Sequence, residues 1–244
     1  MKEYKIEVAN YVFNIKSFYK VGGSSEYLPS KSETDFEVSV EEQDILKERG
    51  FTEEFIHDSA YEKTVIQRKI ANILALRDTI LFHSVAFDVN GVGVAFAAHS
   101  GTGKTTHTML WKQLLGEKMT IVNGDKPFVR FFDSLENAPE GTELGVPYAY
   151  GTPWNGKEKL GCNMRTPLKH ICFIERSEKN FVEKIGKEDA INRVFNQVYM
   201  PSDPAAMANT MSLINRLLEA CNLWIIHCNM DISAAQTAYN AIFN

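Results

Sequence analysis

The stretch "AAHSGTGKTTHTMLW", residues 97–111, decides how the rest of the chain is read. Small residues and glycines lead into a lysine and two threonines, and the chain then continues with a helical pattern. In a loop of this kind consecutive backbone N–H groups wrap phosphate oxygens, and glycines let the chain approach closely. The helix N-terminus adds positive potential, and the lysine spans the phosphoryl oxygens. Ser100, Gly101, Thr102, Gly103, Lys104, Thr105 and Thr106 are the expected cradle, with the Thr105 hydroxyl placed to hold Mg²⁺. Ala98 stands where the consensus has its first glycine, a change that costs little where φ is negative.

The context on either side fits such a loop. Upstream, "TILFHSVAFDV" reads as strand, Asn90-Gly91 as a tight turn, and "VGVAFAA" as a returning strand that delivers the loop. "GVGVAF" lacks the third glycine of a dinucleotide fingerprint and reads as turn and strand. Downstream, the helix stops at Gly116, and "MTIVN" and "HICFIER" read as buried strands. Magnesium needs a second anchor, and Asp125 in "TIVNGDKPF" follows an apolar run, where such an acid is expected.

The outer segments are simpler. Residues 4–40 alternate Val, Ile, Phe and Tyr at period two around a polar break, "GGSSEYLPSKS", and predict a small β-rich opening. "VEEQDILKERGFTEEF" reads as a solvated connector, and "YEKTVIQRKIANIL" as an amphipathic helix. These readings divide the chain into residues 1–58, the β-rich region with its connector, and residues 59–244, the nucleotide-binding unit. Asp203 caps a helix opening with Pro204, and Met207, Met211, Ile214 and Leu218 are expected on its buried side. "LWIIHC" is a strand, and Asp231 begins a terminal helix.

Composition bounds the function. The 244 residues, 44% hydrophobic, suffice for one sizeable core. A formal charge of −5 offers no long-range attraction to polyanions and excludes a general nucleic-acid role. No signal-peptide pattern and no run of apolar residues long enough to span a bilayer is present, so the expectation is a cytoplasmic protein without membrane contact. Cys162, Cys172, Cys221 and Cys228 lack metal-ligand or disulfide spacing and read as ordinary thiols.

Three features together resemble the P-loop fold shared by HPr kinase/phosphorylase and the nucleotide domain of phosphoenolpyruvate carboxykinase. "LFHSVAFDVNGVGVAFAAHSGTGKT" resembles the HPr kinase arrangement, in which a histidine, here His83, begins a strand before the loop. "SGTGKTT" is similar to the carboxykinase loop, and "VNGDKP" occupies the place of that family's paired aspartates. The whole chain also resembles small bacterial carboxykinase-like proteins that carry a "YGTPW-x-GK" segment. The resemblance implies an α/β fold, an HPr kinase/carboxykinase-type P-loop domain with a mixed β-sheet and flanking helices. It implies ATP or GTP with Mg²⁺ as cofactors, and a peptide or small-protein acceptor. HPr kinases form hexamers, so a homo-oligomer is compatible with it.

One departure stands out: the paired acids are here Gly124-Asp125. A single carboxylate remains to hold metal, and the proton acceptor is either Asp125 or His83, since an imidazole is a competent base near neutrality. In residues 148–170, glycines and prolines surround Trp154, Lys157 and Arg165, the pattern of a shaped, partly mobile loop beside a nucleotide. Lys157 or Arg165 would stabilise charge on the transferring group, and Gly151, Thr152 and Trp154 would shape the substrate side. The catalytic set is therefore His83, Lys104, Asp125 and Lys157. His107 reads as solvent-facing in the first turn of its helix.

The expected activity is transfer of a γ-phosphoryl group to a hydroxyl, such as a peptide serine. The alternative is a nucleotide-binding regulatory or assembly protein that has lost the chemistry. Carboxykinase chemistry on oxaloacetate is disfavoured, because the chain is too short to add a substrate domain.

Overall fold

The alternating runs at the start of the chain pair as their period dictates. Strands β1 (Lys2–Val8) and β2 (Tyr11–Ser17) form an antiparallel hairpin, turned by Ala9 and Asn10 at positive φ, and β3 (Phe36–Ser39) adds parallel to β2. The computed structural model describes residues 1–21, 24–51, 56–136 and 138–244. Residues 22–23 of the polar break and 52–55 of the expected connector lie outside the described residues.

The acidic connector is not all loop. Its first part forms helix α1 (Glu42–Arg49), because Glu41 and Asp44 make a reciprocal capping box and Ile45 is buried against the neighbouring helix α2 (Asp58–Ala75). Salt bridges from Arg68 to Glu48 and from Lys69 to Asp44 tie the two helices together. The charges that looked merely solvated are thus partners of α2.

Among the described residues the main sheet has nine strands. Its continuous path is β4 (Thr79–Leu81), β8 (Phe128–Arg130), β9 (Tyr148–Tyr150), β10 (Arg165–Arg176), β6 (Val92–Ala97), β5 (Val85–Val89) and β7 (Met119–Asn123). Strand β12 (Asn222–Cys228) joins in parallel to the second half of β10 and carries β11 (Phe181–Lys184). Strand β10 is parallel to β6 and β12 and antiparallel to β9, so the sheet is mixed and the fold is α/β. Helices α3 (Lys104–Leu115) and α6 (Ile232–Phe243) share one core with β5, β6 and β12, centred on the fully buried Trp111. Helices α4 (Lys187–Phe195) and α5 (Pro204–Ala220) supply a second.

The third core crosses residue 58. It joins Ile6, Phe13 and Ile15 of the small sheet to Ile66 and Ile70 of α2 and to Phe128, Tyr150 and Trp154. Glu62, 1% exposed on α2, accepts the N–H groups of Phe18 and Tyr19 at 2.6 and 2.7 Å. The end of β2 is thereby fastened to the helix by charge-assisted bonds.

Three expectations need correction. "TILFHSVAFDV" is not one strand: β4 and β5 flank a break at residues 82–84, so His83 precedes a strand rather than beginning it. In α5, Met207 and Met211 are 40% and 48% exposed, and the buried stripe is Ala206, Thr210, Leu213, Ile214, Leu217 and Leu218. Ile214 and Leu218 lie on the buried side as expected, and the small side chains of Ala206 and Thr210, not the two methionines, complete it toward the helix start. His107 is 2% exposed and accepts a hydrogen bond from Trp111 Nε1 at 3.2 Å, and burial lowers its pKa to about 4. Among the described residues no helix is long and apolar enough to cross a membrane.

Replacing Glu62 by alanine leaves two backbone donors without their acceptor. The expected loss is about 2–4 kcal/mol in denaturant unfolding, whereas Glu37→Ala on exposed β3 changes stability by less than about 0.5 kcal/mol.

Candidate functional site

Strand direction gathers the site. Strands β6, β7, β10 and β12 all point the same way, so their carboxyl ends lie along one edge of the sheet, the edge at which α/β proteins place ligands. Strand β6 delivers residues 98–103 there and β7 delivers Asp125. Strand β10 ends in Arg176, and β12 runs on into Asn229 and Met230.

The loop between β6 and α3 depends on glycine conformation. Gly101 and Gly103 have φ of 77° and 120°, while Ala98 is not among the positive-φ residues and is accommodated without strain. Gly103 is the N-cap of α3, so the helix's first amides open toward the loop. Arg176 braces the loop from β10, donating to the carbonyls of Thr102 at 3.1 Å and Gly101 at 2.5 Å. The Lys104 ammonium folds back onto the Ala98 carbonyl at 2.6 Å.

His83 and Asp125 meet because two chain segments separate at the same level. The segment containing β4 and β5 runs antiparallel to the one containing β7 and β8, and between the two ladders both depart from strand geometry. Phe82 N–H donates to Pro127 and Ser84 N–H to Asp125, which leaves His83 opposite Asp125. The His83 N–H is meanwhile taken by the Gln197 carbonyl at 2.7 Å. His83 Nε2 lies 3.4 Å from Asp125 Oδ1, and Lys126 Nζ lies 2.7 Å from Oδ2.

Asn123 shapes the turn that carries Asp125. It is fully buried; its Oδ1 accepts the N–H groups of Asp125 and Lys126 at 2.9 and 2.7 Å, and its Nδ2 donates to Thr152 Oγ1 at 2.8 Å. This Asx-type turn was overlooked in the sequence, although an asparagine directly before Gly-Asp is the signal for it. Lys126, paired with the Asp125 carboxylate, is the second overlooked member.

Burial by itself would raise the Asp125 pKa, but the His83 hydrogen bond and the Lys126 ammonium outweigh it and lower the value to about 2. The carboxylate is ionised at any physiological pH. Lys104 moves down through burial, opposed by the charge of Asp125.

These groups line one cavity of about 730 Å³. His83, Ser100, Gly101, Gly103, Lys104, Thr105, Thr106, Asp125, Trp154 and Lys157 from the sequence-derived set all border it, together with Lys63, Thr64 and Gln67 of α2. Other expected residues lie elsewhere. Thr102 borders a second cavity of about 690 Å³ on the far side of the loop, beside Ile174, Cys228 and Met230. Gly151 is pressed against the Cys162 carbonyl, and Thr152 is a buried partner of Asn123. Arg165 binds Thr142 Oγ1 and the Glu140 carbonyl, each at 2.8 Å, and lies over the Tyr148 ring, so it braces the preceding loop.

The segment after β9 is more firmly held than its glycines indicated. Trp154 is buried, and its Nε1 donates to the Lys63 carbonyl at 2.8 Å. Leu160 accepts the Gly124 N–H at 2.8 Å, and Cys162 N–H donates to Val122. This fastening explains Gly124. A Cβ there would lie 2.9 Å from the Leu160 carbonyl and 3.0 Å from that of Asn155, so a second acid is sterically excluded.

Among the described residues no three or more His, Cys, Asp and Glu side chains gather as a metal cluster. A hydroxyl and an ionised carboxylate, Thr105 and Asp125, are nonetheless hard oxygen donors of the kind Mg²⁺ takes when phosphate completes its shell. The donor chemistry fits that ion.

Two measurements check this geometry. The Asp125 carboxyl, followed by carbon NMR, should titrate near 2 and move up toward 3.8 in Lys126→Ala. Because the folded value is depressed, the stabilisation it brings is present above pH 3.8 and is lost as pH falls toward about 2. Gly124→Asp should destabilise the fold by about 1–3 kcal/mol in thermal unfolding, since the side chain meets backbone oxygens. In comparison with known proteins, the chain matches no protein-family model, and no curated protein matches it.

Proposed function

We propose that the protein is an ATP- and Mg²⁺-dependent kinase of the HPr kinase-like kind, transferring the γ-phosphoryl group to a hydroxyl such as that of a serine in a peptide or small protein. The observation that carries this reading is the His83–Asp125 pair bordering the same cavity as Lys104 and the glycine loop. A nucleoside triphosphate laid over the loop has the mostly apolar cavity beside Ile174 and Met230 for its nucleoside. Its terminal phosphate lies in the lysine-lined cavity.

In this mechanism the amides of residues 101–106 and the Lys104 ammonium hold the phosphates, Lys104 leaving the Ala98 carbonyl to do so. Thr105 and Asp125 would hold Mg²⁺, which supplies charge neutralisation at the phosphoryl oxygens when bound. Lys157, exposed at the rim, meets charge on the transferring group. The acceptor oxygen forms its bond to the γ-phosphorus as the bond from that phosphorus to the bridging oxygen breaks, and ADP leaves. The hydroxyl proton passes to His83. Asp125, at about 2, is too weak a base for this and serves to orient the ring: with Nε2–H facing its carboxylate, Nδ1 is the basic atom.

A second reading, a nucleotide-binding regulator without transfer, is favoured by Gly124, where the packing leaves room for no second acid. The two separate with γ-labelled ATP, Mg²⁺ and serine-containing peptides. The kinase reading expects incorporation that Lys104→Ala abolishes and that His83→Ala lowers about 100-fold in kcat with KM for ATP retained. Tight calorimetric ATP binding with incorporation no higher than in Lys104→Ala would instead favour the regulator.

A further inference from the structure

Part of the cavity wall belongs to α2, through Lys63, Thr64 and Gln67, and nothing in the phosphate chemistry uses it. Gln67 borders the cavity, is 4% exposed, and its Nε2 has no hydrogen-bond partner. An amide donor held this deeply without a partner is costly unless something arrives to accept from it. One helical turn earlier Lys63 borders the same cavity, and its carbonyl is occupied by Trp154 Nε1. Lys63 also borders a further depression of about 380 Å³ that runs between Tyr19–Val21 and the first turns of α2. Lys63 thus stands between the two cavities.

Charge narrows the acceptor class. Four lysines, 63, 104, 126 and 157, and two carboxylates, Asp125 and Glu158, border the cavity. A metal-bound nucleoside triphosphate, with roughly two remaining negative charges, balances that excess. Among the described residues lining the cavity, no uncompensated cation is left to attract an anionic acceptor.

We propose that α2 forms the acceptor subsite, in which the buried, unpartnered Gln67 amide turns toward the cavity and Nε2 donates to a carbonyl oxygen of a neutral, amide-bearing acceptor, the chemistry of a peptide segment around its hydroxyl side chain. This rests on the phosphotransfer reading, and the experiment separates the two. The probe is N-acetylserine methylamide, with ethanol as a hydroxyl lacking the amide, in the full chain with Mg²⁺. Using ATP, Gln67→Leu should raise KM for the probe about tenfold while leaving KM for ATP unchanged and the melting temperature no lower. It should not alter the weak use of ethanol. A change under twofold, or an equal rise in KM for ATP, overturns the subsite.

A second readout needs no turnover. With a non-hydrolysable ATP analogue bound, the Gln67 side-chain amide resonance should shift and saturate with the probe and stay fixed with ethanol. If it does so while wild type transfers no phosphate, the kinase reading falls and the subsite stands. If the resonance stays fixed with the probe up to about 100 mM, far above an ordinary KM, the subsite falls whatever the transfer assay shows.

Discussion

Everything at the site depends on how a buried asparagine replaces a strand ladder. Where β7 ends, the backbone must turn out of the sheet without leaving amides unpaired, and the Asn123 side chain takes the two that would be orphaned. Its own amide nitrogen is satisfied by Thr152, so the network is closed rather than partly filled. With that turn fixed, the opposing segment opens at the same height, and an imidazole and a carboxylate face each other beside the glycine loop. The same two residues on a continuous antiparallel ladder would be held by regular pairing and would not project into a cavity.

The three cores meet around this point. Trp111 and its aromatic neighbours hold the helix that begins at Lys104, and the second core lies beneath the segment that supplies the Gln197 carbonyl. The third core, shared between the small N-terminal sheet and α2, sets the α2 part of the cavity wall. The N-terminal strands are therefore not an appendage to the part of the chain that carries the glycine loop. They hold through Glu62 the helix against which Trp154 and the loop after β9 are fastened.

What could be read in the sequence was whatever local chemistry decides. Gly101, Gly103 and Lys104 specify their loop, Asn90-Gly91 its hairpin turn with both residues at positive φ, and Asp203 its cap, because each effect acts within a few residues. His83 was noticed only through a resemblance. Its partner is fixed by two interruptions some 40 residues apart, which no periodicity encodes. Gln67 and Lys63 were invisible for the same reason: on the helix they are ordinary polar positions, and only the folded chain sets them at the border of a cavity. Lys157 and Arg165 looked alike, two basic residues in one glycine-rich stretch. Yet one borders the cavity and the other is consumed by Thr142 and Glu140.

The contact over Gly124 also bears on the order in which this site could change over time. The loop carrying Asn155 and Leu160 occupies the space a side chain would need, so the loop must withdraw before any residue larger than glycine is accepted there. The reverse order passes through a poorly folded intermediate. The present single-carboxylate arrangement is thus locked by a neighbour, and a lineage leading away from it begins in the loop.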